Sequence, residues 1–225
     1  MGCYKCGDEK SRLFNTFGKL KRRKCIDASK TGIKGHSGMI KKQVNENDYY
    51  DLTLPDCLYL LKVKKSNPLY TFWYLEHYPK SKGIVGRQLN YIIYKDRKPI
   101  GIIGCASPPL NYKLFRKHFK TDNEKLFVNN NVCRIVHTDG DRNMGTKILK
   151  LFRNRIKEEY QTVYGDKLLG IVTFVEPPRT GAMYKADNWK FLGMTQGVEV
   201  KRRGDDWFQK SYQKGVQKFI YVHNL

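Results

Sequence analysis

The sequence predicts an α/β protein, a mixed central sheet flanked by helices with a basic N-terminal extension, and three observations carry that expectation. Residues 132–137 (VCRIVH), the helix-patterned stretch 144–160 and the apolar run 168–175 (LLGIVTFV) give strand, helix and strand at the spacing of a parallel crossover. Residues 89–94 (LNYIIY) and 99–106 (PIGIIGCA) are two apolar runs joined by four polar residues, the length of a hairpin link. Lys and Arg number 43 against 21 Asp and Glu, a formal net charge of +22 that points to a polyanionic partner.

A length of 225 residues suits one domain with an appendage, and 40% hydrophobic with 13% aromatic residues suffices for a packed core. The expected division is a basic arm over residues 1–48 and a catalytic domain over 49–225. The charge is spread along the chain rather than gathered on one amphipathic helix, so nucleic acid is favoured over a membrane surface. No run of about 20 apolar residues and no apolar signal core are visible, so a cytoplasmic protein without a membrane partner is expected. Cysteines stand at 3, 6, 25, 57, 105 and 133 with no regular spacing, which reads as reduced thiols. Cys105 and Cys133 lie in apolar runs and read as core. Cys3, Cys6 and Cys25 form a candidate zinc set in the arm, with His36 as a further candidate.

Taken in order, the arm carries its densest charge at Lys21, Arg22, Arg23 and Lys24, residues suited to phosphate contacts that give affinity without sequence choice. Residues 51–65 show leucines at three-to-four spacing and predict a first helix. Residues 67–78 (NPLYTFWYLEHY) predict a second, stopping at His77-Tyr78 before Pro79. The hairpin follows. Residues 111–131 interleave Phe with Lys and Arg and read as a surface insertion. The 144–160 helix sets Ile148, Leu149, Leu151, Phe152 and Ile156 on one broad face. Residues 168–175 are apolar and β-branched as in a strand buried on both faces. A short helix over 181–189, a strand at 191–195, a basic loop containing Arg202 and Arg203 and a closing strand at 218–222 complete the chain.

The polar turn 139–146 (DGDRNMGT) leads into a helix start, where free amides and the helix dipole favour a phosphate, so Asp139, Asn143, Gly145 and Thr146 are candidate cofactor contacts. The same turn also reads as an ordinary Asn or Asp cap. His77 suits a general base or a metal ligand, and equally a structural imidazole among Trp73, Tyr74 and Tyr78. Glu176, at a strand end beside the expected cleft, would accept a proton or join His77 on a divalent metal, or simply be solvated.

The element order is similar to that of GNAT acyltransferases, which implies that fold and makes Tyr184 a leaving-group acid. The several close glycines of acetyl-CoA-binding members are incomplete in 139–146, which argues against acyl-CoA and leaves the donor open. The ordered set His77-Tyr78, residues 85–91 (VGRQLNY), Cys133-Arg134-Ile135, Asn143, residues 173–176 (TFVE) and residues 181–197 resembles the Mom family of phage DNA-modification proteins and the related family of the Druantia anti-phage system. The Mom resemblance implies transfer of a carbamoylmethyl group to the exocyclic amine of adenine in double-stranded DNA, protecting bacteriophage DNA from restriction. It implies roles for His77, Tyr78, Arg134, Asn143, Thr146 and Glu176, and a metal on His77 and the acid. Thr146 stands where that family has serine, and Glu176 where it has aspartate. The Druantia resemblance implies a DNA-binding defence component without transfer activity. A conventional N-acetyltransferase is the third expectation.

Overall fold

The computed structural model describes residues 44–54, 57–77, 86–109, 113–138, 140–202 and 210–225. The chain divides into two units, Met1–Tyr50 and Asp51–Leu225. Among the described residues of the first, a 3-10 turn at Glu46–Tyr49 is capped by Asn45, whose side chain accepts from the Asn47 amide.

The second unit is built on a seven-stranded sheet in the order β1-β2-β3-β4-β5-β9-β6. Strand β1 (Tyr59–Val63) pairs antiparallel with β2 (Gln88–Lys95), and β2 with β3 (Lys98–Ala106). Asp96 and Arg97, both at positive φ, turn the β2–β3 link, as a tight hairpin requires. Strand β4 (Phe127–Ile135) continues the antiparallel run. Helix α3 (Met144–Tyr164) then crosses to β5 (Gly170–Val175), which lies parallel to β4. Strand β5 pairs antiparallel with β9 (Phe219–Asn224), and β9 with β6 (Lys190–Met194). A separate two-stranded ribbon, β7 (Val198–Arg202) with β8 (Lys210–Lys214), stands between β6 and β9 in the chain.

Helix α3 covers one face. Ile148, Leu149, Phe152, Ile156 and Tyr160 are buried against Tyr91, Ile103, Val128 and Ile171, and each such side chain contributes about 1.5–3 kcal/mol by leaving water. Gly165, at φ 77°, ends the helix and donates its amide to the Gln161 carbonyl at 2.8 Å. On the other face, α1 (Pro68–Leu75) packs on β3 and β4, and α2 (Lys113–Phe119) places Phe115 with Phe127, Val172 and Val222. Pro68 at the first position and Asn67, whose side chain accepts from the Tyr70 amide at 3.1 Å, start α1. This is the mixed, helix-flanked α/β sheet that the sequence predicts, and α3 runs four residues beyond the expected Tyr160.

Three local expectations are corrected. The first helix over residues 51–65 is not formed; its second half is the edge strand β1, aligned along five residues with β2 and burying only Leu60. The insertion over residues 111–131 is α2, a 3-10 turn at Glu124–Leu126 and the first half of β4. The basic loop begins inside β7, which contains Lys201 and Arg202, while Arg203 lies outside the described residues.

Candidate functional site

Strands β4 and β5 run side by side for three residue pairs only, Phe127 with Gly170 to Asn129 with Val172, and beyond that point they separate. A β-bulge marks the fork. Gly104 pairs with Val132 and Cys105 with Asn130, which leaves Asn131 as the extra residue. Asn130 ties the apex together. Its amide nitrogen donates to the Gly104 and Val132 carbonyls at 2.8 and 3.0 Å, and its backbone carbonyl accepts from the Thr173 hydroxyl at 3.1 Å. The side-chain nitrogen and oxygen of Asn131 are buried with no partner among the described residues.

The fork opens into a cavity of about 720 Å³ lined by the ends of β4 and β5, the residues that follow α1, and the segment leading into α4 (Ala182–Ala186). His77 lies on its wall, only 8% exposed. Burial, helped by the Arg134 and Arg179 guanidiniums and opposed by a hydrogen bond with the Cys133 backbone, lowers its pKa from 6.5 to about 4. The imidazole is therefore neutral at physiological pH. Half-buried Cys133 beside it has its thiol pushed up to about 12 by burial, so it is no thiolate nucleophile. Cys105, fully buried in the core as its apolar run predicts, is likewise raised to about 12.

Tyr184 enters from α4. Its hydroxyl donates to the Asn130 side-chain oxygen at 2.8 Å, and its ring stacks on Tyr221 and meets Trp189 edge-on. Gly181, at φ 73°, makes this approach: a Cβ there would stand 2.5 Å from the Tyr221 ring. Arg134, at the end of β4, is held by Glu76 at 2.7 Å.

The structure thus brings His77, Arg134 and Tyr184 to one cavity. Glu176 is placed differently: it follows β5, pairs with Lys218 at 2.9 Å and is outside the lining. Asn143, Gly145 and Thr146 form the start of α3. Asn143, at φ 60°, makes no side-chain cap bond, and the Thr146 hydroxyl donates back to the Asn143 carbonyl at 2.8 Å. First-turn amides without a side-chain cap fit a phosphate. Gly145 packs against Met183, where a Cβ would fall 2.5 Å from the sulfur, and through Met183 the helix start adjoins the cavity wall. No group of three or more His, Cys, Asp or Glu side chains able to hold a metal occurs among the described residues, and the His77 and Glu176 metal reading finds no supporting geometry. Tyr78, Asp139, Arg203, the four basic residues Lys21, Arg22, Arg23 and Lys24, and Cys3, Cys6 and Cys25 lie outside the described residues.

Glu76, Asn130 and Arg179 were not singled out by the sequence, and Thr173 entered only within the stretch 173–176. Only Asn130 carried a signal, the run Asn129-Asn130-Asn131 between Val128 and Val132, a polar interruption of an otherwise strand-like stretch.

A forked β4–β5 pair, a crossover helix between them and a final antiparallel strand define a GNAT-like fold. A solved structure agrees at the level of the fold. An acetyltransferase from Bacillus subtilis in complex with CoA is 8% identical, with a TM-score of 0.50 over 75% of this chain and 99% of that one. A GNAT family acetyltransferase from Elizabethkingia anophelis with acetyl-CoA bound is 11% identical, with a TM-score of 0.48 over 76% of this chain and 100% of that one. The family model of Druantia protein DruA matches residues 8–199, and the chain belongs to that family. No curated protein matches it. The Druantia link drawn from the sequence therefore holds. Among the described residues no helix is long and apolar enough to cross a membrane.

Proposed function

We propose that this DruA-family chain is a group transferase acting on the exocyclic amine of adenine in DNA, with the fork cavity as its active site. The observation that carries the proposal is the cavity itself, where a neutral buried imidazole and a tyrosine hydroxyl share one wall system between diverging strands. The net charge of +22 supports DNA as the partner, and a base inside the stacked duplex would have to be extruded to reach such a cavity.

In this reading the amine nitrogen attacks an electrophilic carbon of the donor, a new N–C bond forms and the bond to the leaving group breaks. His77 takes the proton lost by the nitrogen. Tyr184 swings its hydroxyl proton from the Asn130 oxygen, which holds the ring in place beforehand, to the departing group. A phosphate-bearing donor suits the start of α3, where the amides of Met144, Gly145 and Thr146 would meet its charge. CoA-type donors belong to the fold neighbours, while the carbamoylmethyl group follows from the Mom resemblance.

The family match also favours a second reading, a DNA-binding Druantia component without transfer activity. Nucleoside mass spectrometry of DNA from cells expressing the chain separates the two. A modified adenine present with the native chain and absent with His77→Gln supports transfer. Unmodified nucleosides together with salt-sensitive DNA binding support the second reading.

A further inference from the structure

Two arginines of the fork cavity have no part in the proton transfers above, and their placement is specific. Arg134 ends β4 and is oriented by its ion pair with Glu76, the residue that closes α1, at 2.7 Å. Arg179 comes from the opposite side, where Glu176-Pro177-Pro178-Arg179 makes a tight turn closed by the Arg179 amide donating to the Glu176 carbonyl at 3.2 Å. Two consecutive prolines fix φ through the middle of that turn, so the point at which Arg179 leaves the backbone is set before any ligand arrives. Both side chains line the same cavity, and among the described residues Glu76 is its only acidic lining residue. With His77 neutral, two guanidiniums against one carboxylate leave a lining charge of +1. Guanidinium groups present several donors in a planar fork that matches phosphate oxygens.

The geometry points to an anion subsite on the cavity wall, formed by Arg134 and Arg179 with Glu76 as the residue that orients Arg134, and built to take a phosphate group of a ligand whose uncharged part occupies the cavity. This inference rests on reading the cavity as the transfer site. The phosphate has two sources, the phosphodiester beside an extruded nucleotide or the phosphate of the donor. The subsite is distinct from the start of α3, which is absent from the cavity lining.

The test uses the full chain and two probes measured by calorimetry at physiological salt, a pentadeoxynucleotide with a central adenine and coenzyme A. Arg179→Gln is expected to weaken one of them about ten- to a hundredfold, the cost of one charge-assisted contact, while Arg179→Lys, which keeps the charge but loses the planar fork, weakens the same probe by a smaller factor. Loss confined to the pentanucleotide assigns the subsite to nucleic acid, and loss confined to coenzyme A assigns it to the donor. Glu76→Gln, which leaves both arginines in place, is expected to weaken the same probe by a smaller factor. Unchanged affinity for both probes in Arg179→Gln and Arg134→Gln, or no binding of either by the native chain, overturns the inference. Absence of a modified nucleoside in cells, by contrast, overturns the transfer reading and leaves these affinities to be read separately.

Discussion

At the scale of single residues, His77 is the position with the clearest physical signature. Its pKa falls from 6.5 to about 4 on folding, so the unfolded chain binds the extra proton more readily than the native one. The associated stability is fully present above pH 6.5 and is lost as pH falls towards 4, with roughly 2 kcal/mol gone by pH 5. Denaturant titrations of the native chain and of His77→Gln at pH 7 and pH 5 check this: the native chain is expected to lose more stability by that amount. The same shift predicts that the acid limb of any transfer activity falls near pH 4 rather than near 6.5. Tyr184→Phe removes the partner of the buried Asn130 oxygen and is expected to cost about 1–3 kcal/mol in a thermal or chemical melt, with loss of transfer activity beyond the loss of folded protein. His77 was legible in the sequence through the chemistry of its imidazole, whereas Tyr184 and Arg134 entered through the resemblances to GNAT and Mom proteins. Glu76, Asn130 and Arg179 are ordinary surface residue types in sequence, and only the fold carries them to one cavity. Glu176 shows the reverse: an acid at a strand end was visible, but its pairing with Lys218, the residue before β9, depended on a segment far along the chain.

At the scale of elements, periodic apolar patterns read well where burial is deep. The β2–β3 hairpin, α3 and β5 have their predicted types, and Gly165 marks the true end of α3 in the sequence itself. Where burial is shallow the pattern fails. Strand β1 buries one residue, so its leucines imitate a helical spacing, and Pro55 in the middle of the predicted helix was the sequence signal against it. The start of β4 was hidden because its bulge and Asn triplet break the alternation that identifies strands. That irregularity forms the fork. The approach of β3 to β4 beside it is tight: a Cβ on Gly101 would collide with the Arg134 carbonyl and stand 3.0 Å from the Ile135 Cα. Gly101→Ala is therefore expected to destabilise the protein by about 2–3 kcal/mol, read as a lowered denaturant midpoint, and to weaken activity at the end of β4.

At the scale of the molecule, a charge of +22 and a GNAT-like fork are separate properties that the proposed function joins. Composition alone indicated a polyanion, and the order of elements alone indicated the fold; neither identifies the group transferred. If the basic run contributes phosphate contacts, replacing Lys21, Arg22, Arg23 and Lys24 together by Gln lowers the slope of log affinity against log salt by up to about 0.9 per contact. Binding isotherms on duplex DNA across a salt series would show it. The measurement that bears most directly on the joined claim is nucleoside mass spectrometry of DNA from cells expressing the native chain, His77→Gln and Arg179→Gln. The proposed function predicts a new adenine-derived mass in the first that disappears in the second and diminishes in the third. An unaltered nucleoside profile from cells in which the native chain is folded and bound to DNA would contradict it.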